Sequence, residues 1–234
     1  MEDVKVVDVN FAPQVPQYRV FEGPRRIAVE QAIAKDPDSR HKASIEELMQ
    51  FRLDALNSKY EPAISQAWNN WYDSNTWIGY CAGKVKIGEG FSMPENPQLK
   101  QGALVRTEKE FEELKGKAIL RKKYNGSDWQ SKDKVLKDPA WRAVGRKTLK
   151  PYMNAEFKKY NFQTAMGVYF ADELDVSTQR ALVLGGGNGR SSLNGIRDFG
   201  SGGFRLVGVL NLLSLRSATS AELKSGLEEA VAKK

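Results

Sequence analysis

Cysteine occurs once, at Cys81, and histidine once, at His41, in a chain of 234 residues. One cysteine excludes an intramolecular disulfide and any cysteine-cluster metal site, which suits a reducing compartment and a cytoplasmic chain. One histidine rules out a zinc site built on several imidazoles, while magnesium held by carboxylates stays open. Neither a metal nor a cofactor is expected. No apolar run approaches the roughly 20 residues that a bilayer crossing needs, and Met1-Glu2-Asp3 opens nothing like a signal peptide, so no membrane partner is expected. No low-complexity linker divides the chain, which reads as one domain, 1–234. A hydrophobic content of 41% with 10% aromatics argues against a disordered chain.

What the chain does have is unevenly spread. Eight of its 20 glycines fall between Gly185 and Gly203, with Arg190, Arg197 and Arg205 set among or just after them. Glycine is costly to order, so such density is expected where backbone bends sharply or meets a ligand closely. Bare amides beside guanidinium groups suit phosphate. The plain alternative is a surface loop. A second concentration is basic. Residues 115–150 carry twelve Lys and Arg against three Asp, a surplus of +9 that exceeds the +7 of the whole chain. Tyr124, Trp129 and Trp141 are interleaved with these cations, as in a groove for single-stranded nucleic acid, where cations follow phosphates and rings receive bases. A solvated basic face is the alternative, and Trp141 also suits a core position.

Local patterns supply the elements. Val4–Phe11 and Tyr18–Phe21 read as strands, and residues 25–35 as a helix after Pro24. Ser44 with Glu47 forms a capping box that opens a helix from Ile45 to Lys59, its apolar stripe running through Leu48, Met49, Leu53 and Leu56. Beyond Pro62 the spacing of Ile64, Ala67, Trp68 and Trp71 continues as helix, which places Trp68 and Trp71 together as core. A stacking surface for unpaired bases is the other reading of this aromatic cluster. Residues 76–87 read as strands, and Thr107 with Glu110 as a second capping box. Phe162–Phe170 reads as a strand, residues 176–184 as a helix capped by Asp175 and closed by Gly185, and residues 204–212 as a strand. A last helix is expected over 221–232.

The glycine segment fits neither common nucleotide motif. A P-loop needs G-x-x-x-x-G-K-[ST] after a strand, but only three residues separate Gly185 from Gly189, and Arg190 replaces the lysine. The dinucleotide fingerprint fails because Arg190 stands where the third glycine belongs. An expected helix, a glycine loop with arginines (Gly185, Gly186, Gly187, Gly189, Arg190, Gly200, Gly202, Gly203) and a strand from Phe204 resemble the signature region of the repeat-associated (RAMP) RNA-binding superfamily of CRISPR effector complexes. That resemblance implies an α+β chain with a ferredoxin-like, RNA-recognition-motif-like core, here with a helical segment and residues 115–150 as a basic insertion. It implies a non-catalytic, RNA-binding subunit of a ribonucleoprotein in antiviral defence, with single-stranded or guide RNA and other protein subunits as partners.

The residues expected to contact RNA are Gly187, Gly189, Arg190, Arg197, Gly202 and Arg205 in the loop, and Arg121, Lys122, Lys123, Trp129, Arg146 and Lys147 in the basic stretch. Two alternatives stay open. One is an RNA-processing endonuclease using His41 as general acid or base. The other is a structural or assembly protein, such as a phage particle component.

Overall fold

A computed structural model of the chain describes residues 3–9, 17–120, 129–171, 175–186, 190–200 and 202–210. Its elements run in the order β1 (Lys5–Val9), β2 (Tyr18–Gly23), α1 (Arg26–Ala34), β3 (Arg40–Lys42), α2 (Ile45–Ser58), α3 (Glu61–Trp68), β4 (Tyr72–Cys81) and β5 (Lys84–Glu89). There follow β6 (Leu99–Lys100), β7 (Ala103–Val105), α4 (Glu108–Glu113), β8 (Lys117–Leu120), α5 (Lys132–Lys137) and α6 (Pro139–Gly145). A single 3₁₀ turn (Arg146–Thr148) leads into α7 (Leu149–Tyr160), and β9 (Gly167–Phe170), β10 (Thr178–Gly185), β11 (Ser192–Gly195) and β12 (Phe204–Leu210) complete the described chain.

The strands join in one mixed sheet with a central order β1-β2-β12-β4-β10-β11-β9. The first and last described strands come close there, because β12 pairs antiparallel with β2 and parallel with β4, and β2 pairs with β1. This is not the ferredoxin-like core expected from the sequence. The physical reason lies in residues 176–184, expected as a helix. They form β10, an inner strand paired with both β4 and β11 and buried at every one of its eight residues. A strand covered on both faces loses the alternation that marks a strand, so its apolar run passes for a helix turn. With that helix gone, no βαβ unit closes on the glycine segment.

Most local signals elsewhere hold, although the strand expected over Phe162–Phe170 is confined to Gly167–Phe170. Ser44 and Glu47 make the capping box of α2, with the Ser44 amide donating to Glu47 Oε2 at 2.8 Å, and Thr107 and Glu110 make that of α4. The helix expected to continue through Trp71 stops at Trp68, where Asn69 is the C-cap. Trp68, Tyr72 and Trp77 are buried, but Trp71 is 48% exposed. Helical spacing no longer applies past the cap, so the two tryptophans part.

One apolar cluster lies between the sheet and α2, α3, α6 and α7, with Phe51, Trp68, Tyr152 and Trp141 among its members. A smaller one lies under α1, around Phe21, Val29, Phe91 and Phe204. Within 115–150, Val135, Ala140 and Trp141 are fully buried in the larger cluster, and β8 extends the sheet beside β5. The strand end and helix expected over 211–212 and 221–232 lie outside the described residues.

Candidate functional site

The floor of the site is built by α2. Ile45, Leu48 and Met49 turn one face of that helix inward, and Arg52 follows on the same face with 0% exposure. A buried guanidinium must spend its donors. Arg52 Nη1 donates to Gly185 O at 3.0 Å, Tyr152 Oη at 2.7 Å and Ser191 Oγ at 2.9 Å. Nη2 donates to Asn70 O at 3.0 Å, and Nε to Ala67 O at 3.0 Å. Glu156 accepts from the Ser191 amide at 2.7 Å and from Ser191 Oγ at 2.9 Å. Burial raises the Glu156 carboxyl above its ordinary range, while the charge of Arg52 and the bonds from Ser191 and Tyr152 pull it back. Tyr152 also bonds Ser191 directly. Arg52 thus grips Gly185 on one side of the glycine segment and Ser191 on the other.

This grip explains two glycines better than phosphate binding does. A Cβ at Gly186 would stand 2.5 Å from Arg52 Nη2 and from Trp68 O, and 2.6 Å from Asn70 O. At Gly185 it would meet Ser192 Oγ at 2.3 Å and the Trp71 ring at 3.0 Å. The glycines admit a side chain of the protein itself.

Above the floor lies a surface centred on Trp71, the residue just before β4. The register pairs Leu184 with Tyr72 and Gly185 with Ser192, which brings the ends of β4, β10 and β11 together beneath its ring. On β11, Leu193 points into the core, while Ser192 and Asn194 line a cleft, as the two-residue period of a strand requires. Trp71 borders three adjoining clefts of about 630, 560 and 330 Å³. The largest is walled by Trp71, Trp129, Phe162 and Tyr169 with Arg190, Ser192, Asn194 and Ile196. Ile196 is 47% exposed. Its loop is held from below by Arg180, a buried residue of β10 that donates from Nη1 to Arg197 O at 2.6 Å and from Nη2 to Gln101 O at 2.7 Å.

Of the residues expected to contact a ligand, Arg190, Arg197, Arg205 and Trp129 come together around this face. Arg190 lies over the rings of Phe162 and Trp129, 4.7 and 5.3 Å from their centroids. Arg197 pairs with buried Asp73 at 3.2 Å and donates to Gly203 O at 2.8 Å. Arg205 pairs with Glu22 and donates to Asn70 Oδ1 at 2.5 Å. Gly202 is exposed in the loop before β12. Arg146 and Lys147 sit apart in the 3₁₀ turn, Arg146 at 2.9 Å from Glu89. Gly187, Gly189, Arg121, Lys122 and Lys123 lie outside the described residues.

His41 is on β3, with Nε2 at 2.6 Å from Glu47 Oε1, and that hydrogen bond raises the imidazole above its ordinary 6.5. Glu47 is at the same time engaged by its cap, so the histidine closes a structural pair. Trp71, Arg52, Asn194 and Ile196 were not among the expected site residues. Arg52 had a signal, because its spacing from Ile45, Leu48 and Met49 sets a charge on an apolar stripe. Trp71 had none. Among the described residues, no group of three or more His, Cys, Asp or Glu is placed to hold a metal, and no helix is long and apolar enough to cross a membrane.

No family model matches the chain, and no curated protein matches it in sequence. In three dimensions it is similar to a solved protein from Nanoarchaeota, described for its accommodation of massive sequence variation by the C-type lectin fold. The TM-score is 0.63 at 19% identity, covering 82% of this chain and 97% of that one. This chain shares the C-type lectin fold. The terms drawn from the RAMP resemblance, an RNA-binding, antiviral CRISPR component, are corrected together with the ferredoxin-like core that carried them.

Proposed function

We propose that the chain is a recognition module that binds a partner through the face around Trp71, with the remainder of the fold as its scaffold. The observation that carries this reading is the half-exposed Trp71 at the junction of three clefts. Large aromatics beside concave, partly polar surface are where binding energy concentrates. Beneath them, Arg52 and Arg180 bond main-chain carbonyls, so the backbone under the face is held independently of the side chains that project from it. That division suits a fold described, for its Nanoarchaeota neighbour, as accommodating massive sequence variation.

The test is selection of a displayed random heptapeptide library on the full chain, with the winners measured again on Trp71→Ala. Winners that lose at least tenfold in affinity support the reading. Winners indifferent to Trp71→Ala overturn it.

A further inference from the structure

Resting on that recognition reading, we infer that the cleft under Trp71 takes a carboxylate, presented by an acidic loop of a protein partner, with Arg190 as its counter-ion. Among the described residues, the cleft is an aromatic box with one cation. Trp71, Trp129, Phe162 and Tyr169 form its walls, and Arg190 lies against two of those rings. Stacking on two rings restrains the guanidinium plane, and a restrained planar fork is suited to bidentate recognition of a carboxylate.

Arg190 differs from every other arginine near this face. Arg52 and Arg180 donate to backbone carbonyls, Arg197 is paired with Asp73 and Arg205 with Glu22. Arg190 has no carboxylate partner among the described residues, and its Nε, like that of Arg180, is buried without a hydrogen-bond acceptor; unlike Arg180, its guanidinium makes no hydrogen bond to the described residues. A buried donor left unmade is a standing cost, which an incoming acceptor oxygen relieves. No described residue supplies that acceptor, since the polar residues lining the cleft, Ser192 and Asn194, do not engage it.

The charge pattern selects the class of partner. A nucleic acid strand needs cations repeated along its phosphates. Here two of the three arginines are already neutralised, and Asp73 and Asp198 line the adjoining cleft. One open cation in an apolar box matches a single carboxylate flanked by apolar side chains. A chain of net charge +7 and isoelectric point near 9.3 also attracts acidic partners and repels its own copies.

The probe is the displayed heptapeptide library, panned on the full chain, with the best peptide then synthesised. Asp or Glu beside an apolar residue is expected in the selected peptides. Changing that acid to its amide in the peptide should weaken binding at least tenfold while leaving the protein untouched. Arg190→Met should give the same loss, and Arg190→Lys an intermediate one, with folding checked by thermal melting.

Peptides that depend on Trp71 but not on the acid or on Arg190 would overturn this inference and leave the recognition reading standing. Peptides indifferent to Trp71 would overturn both. A ten-nucleotide single-stranded RNA that binds with Arg190 dependence, where the acidic peptides do not, would replace the carboxylate with a phosphate and overturn the assignment.

Discussion

Arg52 and Arg190 both lie close to the described ends of one glycine segment and have opposite surroundings. Arg52 is wholly enclosed, and its donors reach Ala67, Asn70, Tyr152, Gly185 and Ser191. Arg190 is half-buried, flanked by rings, and has an unused donor. The first arginine is saturated by its own chain and so determines shape. The second is left incomplete by the described residues and so is available to a partner. Identical side chains thus divide into scaffold and site according to how many acceptors the fold supplies.

Breaking the scaffold side has the largest expected effect. Arg52→Met removes the donor to the main-chain oxygens of Ala67, Asn70 and Gly185 and leaves Glu156 buried without its nearby positive charge, so chemical denaturation should show a loss on the order of 3–5 kcal/mol. Gly186→Ala attacks the same contact from the other side. Its Cβ would sit 2.5 Å from the main-chain oxygen of Trp68, which cannot swing away, and overpacking of this kind costs about 1–3 kcal/mol by the same measurement.

On the open face the effects should be small. Trp71→Ala and Arg190→Met are each expected to change stability by under about 1 kcal/mol. For a chain of this size, that is a shift in thermal midpoint of at most about 4 °C. A drop as large as that of Arg52→Met would erase the distinction between the two arginines.

The smallest effect concerns His41, which takes no part in either site. Its folded-state pKa is raised, so its contribution to stability is complete below about pH 6.5 and is lost as the pH rises through the folded value. Its partner Glu47 is lowered: burial opposes this, but bonds from His41 and Ser44 outweigh it, and that contribution fades only as the pH falls below the ordinary carboxyl range. The side chains are 46% and 36% exposed, so screening holds the pair to below about 0.5 kcal/mol. His41→Ala should remove the His41 share of the stability lost as the pH rises from about 6.5, and leave peptide binding unchanged.

Elements with local causes were legible in the chain. The boxes at Ser44 and Thr107 need only residues three apart, and α2 and α4 begin where they say. The strands β1, β2 and β12 carry β-branched residues that announce them. The density of arginine and glycine near 185–205 marked a region whose described residues the fold does bring to one face, and there Gly185 and Gly186 make room for Trp71 and Arg52. What failed was the reading of residues 176–184 and of Trp71. The strand is hidden by burial on both sides, and the tryptophan is exposed only because α3 ends three residues earlier.

The sequence by itself determined the caps, the helix stripe and the surplus of positive charge, since each depends on neighbours within a few residues or on composition alone. The tertiary structure decided which arginine is enclosed and which is open, and that Trp71 stands where β4, β10 and β11 end together. Those outcomes depend on pairings between residues more than a hundred positions apart, such as Arg52 with Gly185 and Ser191. No local propensity encodes them, because the acceptors that saturate a guanidinium are assembled only when the sheet closes.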